Sequence, residues 1–185
     1  MRKNFLSQTW LYPMPVLIVA TYDEHGAPDA MNAAWGGIVE YGQIGICLAE
    51  SHKTTKNILK RKAFTVSIAD AAHVVAADYV GLVSGNDEPK KFEKAGFTAK
   101  KSEYADAPVI QELPVALECE YLKTTEDGLV IGKIVNVSAD ESVLGENGKI
   151  DPSKFRPITF DPVNNRYLAL GEVVGNAFRD GTALK

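Results

Sequence analysis

Residues 16–22 form an unbroken run of apolar and β-branched side chains, closed by Asp23-Glu24-His25-Gly26; this reads as a buried strand and a turn. Residues 30–41 and 43–50 read as two further strands with Gly42 at the turn between them. Residues 63–69, rich in Phe, Val and Ile, predict another. Residues 115–123 alternate, with Val115, Leu117, Cys119 and Tyr121 on one face and Glu118 and Glu120 on the other, the pattern of a half-buried antiparallel strand. Asp127-Gly128 then turns the chain into residues 129–137, which predicts a hairpin. Residues 158–160 and 167–170 are short, late strands.

Helical patterns are fewer. Residues 53–62 carry Ile58 and Leu59 among five basic residues. Residues 71–83 place Val75, Tyr79, Leu82 and Val83 at i, i+4, i+7 and i+8, which predicts an amphipathic helix with that face buried. Residues 89–95 predict a short helix stopped by Gly96. Many strands, hairpin connections and helices inserted between them indicate a mainly β fold, an antiparallel barrel with peripheral helices. The order is not βαβ alternation, and no GxGxxG follows a strand. No repeat or linker divides residues 1–185, so one domain is expected.

Composition narrows the partners. The 45% hydrophobic content over 185 residues supports a sizeable core and excludes disorder. A net charge of -4 argues against binding nucleic acid through the overall field. No apolar run approaches the roughly 20 residues of a membrane helix. Arg2 and Lys3 before an apolar stretch faintly imitate a signal peptide, but Pro13 and Pro15 interrupt it and no cleavage site closes it. Cys47 and Cys119 form neither a CxxC nor a zinc cluster, so two reduced, buried thiols in a cytoplasmic protein are expected.

Three stretches carry candidate chemistry. Around Ser51, His52, Lys53, Thr54 and Thr55 the chain leaves a strand and enters a helix. Free amides at a helix start, with the positive end of the dipole, favour an anion, and Lys53 and the hydroxyls add to them. Such a place suits a terminal phosphomonoester; the plainer alternative is an ordinary N-cap by Ser51 on a solvated basic helix. A nucleoside triphosphate is disfavoured by the missing Walker pattern. In the second stretch, from Asp29 to Ile38, small residues and two glycines let a flat ligand approach the backbone. Asn32 there offers both a donor and an acceptor, and Trp35 can pack beside a ring. Its plainer reading is a barrel strand with a Gly-Gly bulge and a core Trp. The third stretch is a Ser84-Gly85 loop followed by a helix with Lys90 and Lys91, which alone is only a turn and a cap.

Other constellations fail. His25, His52 and His73 make no metal-binding pair, and no HExxH or GxSxG is present. No carboxylate pair or nucleophile stands out as catalytic.

Taken in order, Pro13-x-Pro15-Val-Leu-Ile-Val-Ala-Thr21, Asn32-Ala33-Ala34-Trp35, Ser51-x-Lys53-Thr54-Thr55-x-Asn57-Ile58, Ser84-Gly85 with Lys91-Phe92, and Gly96-Phe97 resemble the flavin reductase-like family, most of all its flavoredoxin branch. The resemblance runs from Pro13 to Gly181. It implies an FMN-binding split β-barrel, a homodimer with flavin near the subunit interface, and an oxidoreductase or electron carrier served by NADH, NADPH or a redox protein. It also implies that Asn32–Trp35 line the isoalloxazine ring, that Ser51–Asn57 hold the ribityl chain and phosphate, and that the segment from Ser84 through Lys90 and Lys91 closes the site. His52 departs from the pattern, since many relatives carry Arg there. A non-catalytic flavin-binding or ligand-sensing split barrel is the alternative.

Overall fold

The computed structural model describes residues 1–185. The short β1 (Met14–Pro15) leads into β2 (Leu17–Tyr22), which is buried on both faces. Val16, Ile18 and Ala20 enter one apolar cluster, while Leu17 and Val19 enter another. A strand covered on both sides needs no polar alternation, hence the unbroken apolar run. β3 (Pro28–Ala33), β4 (Gly36–Glu40) and β5 (Gln43–Cys47) follow, then α1 (Lys53–Arg61), β6 (Ala63–Ile68), α2 (Val74–Leu82) and α3 (Lys91–Lys94). β7 (Ala99–Lys101), β8 (Pro108–Ile110) and the long hairpin of β9 (Val115–Thr124) and β10 (Leu129–Ala139) come next. The chain continues through α4 (Pro152–Phe155), β11 (Ile158–Asp161) and β12 (Arg166–Ala169). No helix is long and apolar enough to cross a membrane.

Seven strands form one antiparallel sheet in the order β3-β2-β6-β9-β10-β5-β4. Its two edge strands, β3 and β4, are consecutive in the chain. Laid flat, six inter-strand gaps would hold those edges about 29 Å apart. The link from Ala33 to Gly36 reaches only about 10 Å. The sheet therefore curls until its edges approach, and a Cβ on Gly36 would stand 3.0 Å from both Leu17 Cδ1 and Gly45 O. One cluster, with Leu17, Val19, Ile44, Ile46, Phe64 and Val130, lies inside the curl. The other, with Ile18, Ala30, Ala77, Val80, Phe92 and Phe97, fastens α2 and α3 to its outer side. The fold is mainly β with peripheral helices, as the pattern predicts.

Four expectations change. Residues 30–41 are two strands, because the chain crosses between sheet edges at Ala34–Trp35. On α2 the buried residues are Ala77 and Val80, whereas Val75 is 80% and Leu82 76% exposed. The helix lies close against β3, where a Cβ on Gly81 would stand 3.0 Å from Asn32 Cβ, and so it presents its small residues inward. Glu118 is buried rather than solvent-facing. The segment between β7 and β8 covers it, with Ser102 Oγ and Asn136 Nδ2 both donating to its carboxylate. Of the two free thiols, Cys119 is buried, and burial pushes it up to about 12, but Cys47 is exposed at the end of β5.

Candidate functional site

The start of α1 lacks a side-chain cap. His52 occupies the N-cap position in extended geometry and its ring makes no capping bond, nor does Ser51. The amides of Lys53, Thr54 and Thr55 thus have no intrahelical acceptor, and no acidic residue of the first turn answers the dipole. A lysine at the first helical position opposes that dipole, so Lys53 does not serve helix stability. Its ammonium pairs with Asp23, 3.4 Å away in the turn after β2. Farther along α1, Thr55 and Asn57 are buried, yet Thr55 Oγ1 and Asn57 Nδ2 have no hydrogen-bond partner. Buried polar atoms without partners are few in folded proteins. Arg61 Nε at the far end of α1 and Ser67 Oγ on β6 are unpartnered too. It is the position of Thr55 and Asn57 beside the uncapped helix start that makes them candidates for a ligand.

Asp29, on β3, draws the separate stretches together. Its buried carboxylate accepts from Thr54 Oγ1 of α1 and pairs at 3.6 Å with Lys91 of α3, whose side chain is only 4% exposed. The backbone at Gly85 lies against the same group. A Cβ there would fall well inside contact distance of Asp29 Oδ1 and 3.1 Å from Lys53 Cδ. Burial lowers the Lys91 pKa below the ordinary lysine value, while Asp29 pulls it back upward. Asn86 Nδ2 reaches the carbonyl of Ser51 at 3.5 Å, joining the loop after α2 to the entry of α1.

Asn32 lies two residues along β3 from Ala30 and donates from Nδ2 to the carbonyl of Ala77 at 2.9 Å. Its amide oxygen stays free as an acceptor. The nearby Tyr167 hydroxyl donates to Asp78, and burial together with that carboxylate pushes Tyr167 up to about 12. Ala33 is buried, Ala34 half-buried, and Trp35 is 56% exposed rather than a core Trp. Trp35 is fixed through its backbone, where its carbonyl accepts from Cys47 N at 2.8 Å.

The structure thus joins Lys53, Thr54, Gly85 and Lys91 around Asp29, with Thr55 and Asn57 on the same helix as Lys53. Ser84 belongs to the same loop through Gly85, its hydroxyl accepting from Asn86 N. Lys90 is exposed, and its amide, not its ammonium, bonds Glu88. Asp23 and Asp29 were missed from sequence. The available signal was an acid inside a strand pattern, since Asp29 pairs across the ladder with Thr21 in the apolar β2. Two open clefts of about 530 and 500 Å³ lie elsewhere and contain none of the candidate residues.

The flavin reductase like domain model matches residues 9–160, which takes in the whole cradle. The chain belongs to the flavin reductase-like family. Its structure is similar to the flavoredoxin of Desulfovibrio vulgaris (Miyazaki F), with TM-score 0.94 and 39% identity over 98% of this chain and 100% of that one. It is similar to the flavoredoxin of Methanosarcina acetivorans, with TM-score 0.89 and 26% identity over the full length of both. An FMN-binding domain of a flavin reductase-like enzyme from Shewanella baltica matches at TM-score 0.78 and 20% identity over 88% of each chain, a likeness of fold. This flavin reductase-like chain is therefore a split β-barrel of the redox type, and the two flavoredoxins resemble it over 98% and 100% of its length.

Proposed function

We propose that the protein holds FMN between β3 and α1 and acts as an oxidoreductase, passing electrons between NADH, NADPH or a protein donor and an acceptor. The observation that carries this reading is the uncapped start of α1 with its free amides, Lys53, and the unpartnered Thr55 and Asn57. Those groups fit FMN: a phosphomonoester suits the amides and the ammonium, and ribityl hydroxyls suit the buried orphans. Bound FMN supplies the redox chemistry, taking up a hydride or electrons and releasing electrons singly. The chain binds and orients. Ser51 to Thr55 and Asn57 hold the phosphate and ribityl chain, and Asn32 to Trp35 flank the ring, with the Asn32 amide oxygen as an acceptor. Ser84, Gly85, Lys90 and Lys91 close the site beside Asp29. No side chain need act as a nucleophile or proton donor.

Lys53→Ala tests the phosphate assignment. FMN affinity should fall about tenfold, the worth of one charge-assisted hydrogen bond, while riboflavin affinity should hold. Equal losses for the two flavins would put the phosphate elsewhere.

The working form proposed is a homodimer of this single domain, in the cytoplasm, where unpaired Cys47 and Cys119 fit a reducing environment. Apolar side chains that touch little of their own chain support the dimer. Ile38 and Tyr41 flank the β4 edge, Phe5 and Leu11 lie before β1, and Val173, Val174 and Phe178 lie after β12, all exposed. Where such side chains form one contiguous patch, a partner normally covers it. If the flavin lies near that boundary, FMN should lower the concentration at which dimer forms. Sedimentation over a dilution series, with and without FMN, measures this; a monomer binding FMN fully at every dilution would refute it.

A further inference from the structure

Lys53 and Lys91 each have a carboxylate partner, but the two pairs differ in kind. Asp29 is enclosed, 3% exposed, and accepts from Thr54 as well as pairing with Lys91. Asp23 sits in a turn, where its Oδ1 accepts the amides of His25 and Ala27, both at 2.9 Å, and only Oδ2 faces Lys53. The side chains of Lys53 and Asp23 keep 22% and 14% of their surface exposed. Burial works to raise the Asp23 carboxyl, but the Ala27 and His25 amides and the Lys53 ammonium outweigh it and hold it below the ordinary value. Asp23 is therefore an anion held in place by its turn, with Lys53 as one further partner. Lys53 has a flexible four-carbon stem and lies at the helix start.

We propose that Asp23 competes with the flavin phosphate for Lys53 and so sets how strongly the site discriminates FMN from riboflavin. This rests on the phosphate reading of α1. With a phosphate at the helix start, Lys53 has two anions in reach and its charge is divided between them. Asp23 is thus a specificity-determining residue that weakens the preference for the phosphorylated flavin. A partner so placed also lets Lys53 keep a counter-charge at a helix end that repels it. Asp29 cannot play this part, because its carboxylate is committed to Thr54 and Lys91.

The test is Asp23→Asn, which removes the charge and keeps an amide oxygen to accept the His25 and Ala27 amides. FMN should bind about two- to fivefold more tightly, the range for a partly exposed ion pair released, with riboflavin unchanged. In a Lys53→Ala background the same substitution should have no effect on FMN. Unchanged or weaker FMN binding in the single variant overturns the proposal. So does an equal change for both flavins, which would mean that Asp23 acts through the fold. A gain that persists without Lys53 overturns it too, because the effect would be general charge repulsion rather than competition. Failure of the underlying reading looks different: Lys53→Ala alone would then weaken FMN and riboflavin alike.

Discussion

Asp29→Ala should lower stability by about 3–5 kcal/mol at neutral pH, because it leaves the Lys91 ammonium buried without a counter-charge. Lys91 is 3% exposed and Asp29 is its ion-pair partner, so water cannot replace the lost carboxylate. The pH dependence has a definite sign. Burial already holds Lys91 below the ordinary lysine pKa, and Asp29 opposes that shift. A lysine whose pKa is lower folded than unfolded favours folding above its unfolded pKa and disfavours it as pH falls through the folded value. Removing Asp29 lowers the folded value further. The deficit of the variant is therefore largest at neutral pH and narrows as pH rises to where Lys91 of the unmodified protein also loses its proton. Urea unfolding at neutral pH and around pH 10, close to the ordinary lysine pKa, should show the midpoints drawing together. Asp29→Asn, which still offers Thr54 an acceptor, should lose less and show the same narrowing. A gap that does not change with pH would mean that Asp29 acts through packing and not through charge.

That Asp29 escaped the sequence reading while Lys53, Thr54, Gly85 and Lys91 did not has a physical cause. A helix start is a local feature: a change from strand pattern to helical pattern, with hydroxyls and a lysine at the boundary, is visible within a dozen residues. A hub is not local. Asp29 matters because the curl of the sheet brings α1, the loop after α2 and α3 against one edge strand, and no window of sequence contains that convergence. The strands were legible where both faces are buried, as in β2, or where a tight turn joins partners, as at Gly128 between β9 and β10. They were misread where tertiary context changes the rule. The run from Ala30 to Tyr41 looks continuous, but closure of the sheet breaks it at Trp35. Glu118 follows a clean alternation and yet is buried, because a distant segment covers the face it points to. On α2 the large apolar residues implied a buried face, whereas close approach to β3 selects Ala77 and leaves Val75 and Leu82 outside. Those exposed side chains agree with the homodimer proposed above, in which a surface can be apolar without facing its own core.

Gly85→Ala should weaken FMN binding about tenfold, the loss expected if a displaced Asp29 and loop leave Lys53 unable to meet the phosphate in its charge-assisted geometry. The argument is steric. The position of the new Cβ is already taken by Asp29 Oδ1, with Lys53 Cδ 3.1 Å away. A terminal atom of a long, loose side chain would swing aside at small cost. Asp29 has a short side chain, enclosed on β3, and it cannot turn away without parting from Thr54 and Lys91 together. Alternatively the loop itself lifts, which carries Ser84 and Asn86 from the entry of α1. Either way the lysines and the helix start lose their relative placement, and overpacking adds about 1–3 kcal/mol of lost stability. Gly37→Ala is the matched control, because a Cβ there meets nothing within 4 Å. It should leave unfolding unchanged and so controls for the steric cost to stability. Isothermal titration of both variants with FMN and riboflavin, beside urea unfolding, separates these effects. Normal FMN affinity in Gly85→Ala would show that the loop does not lean on Asp29 when the flavin is bound, and would remove Asp29 from the centre of the site.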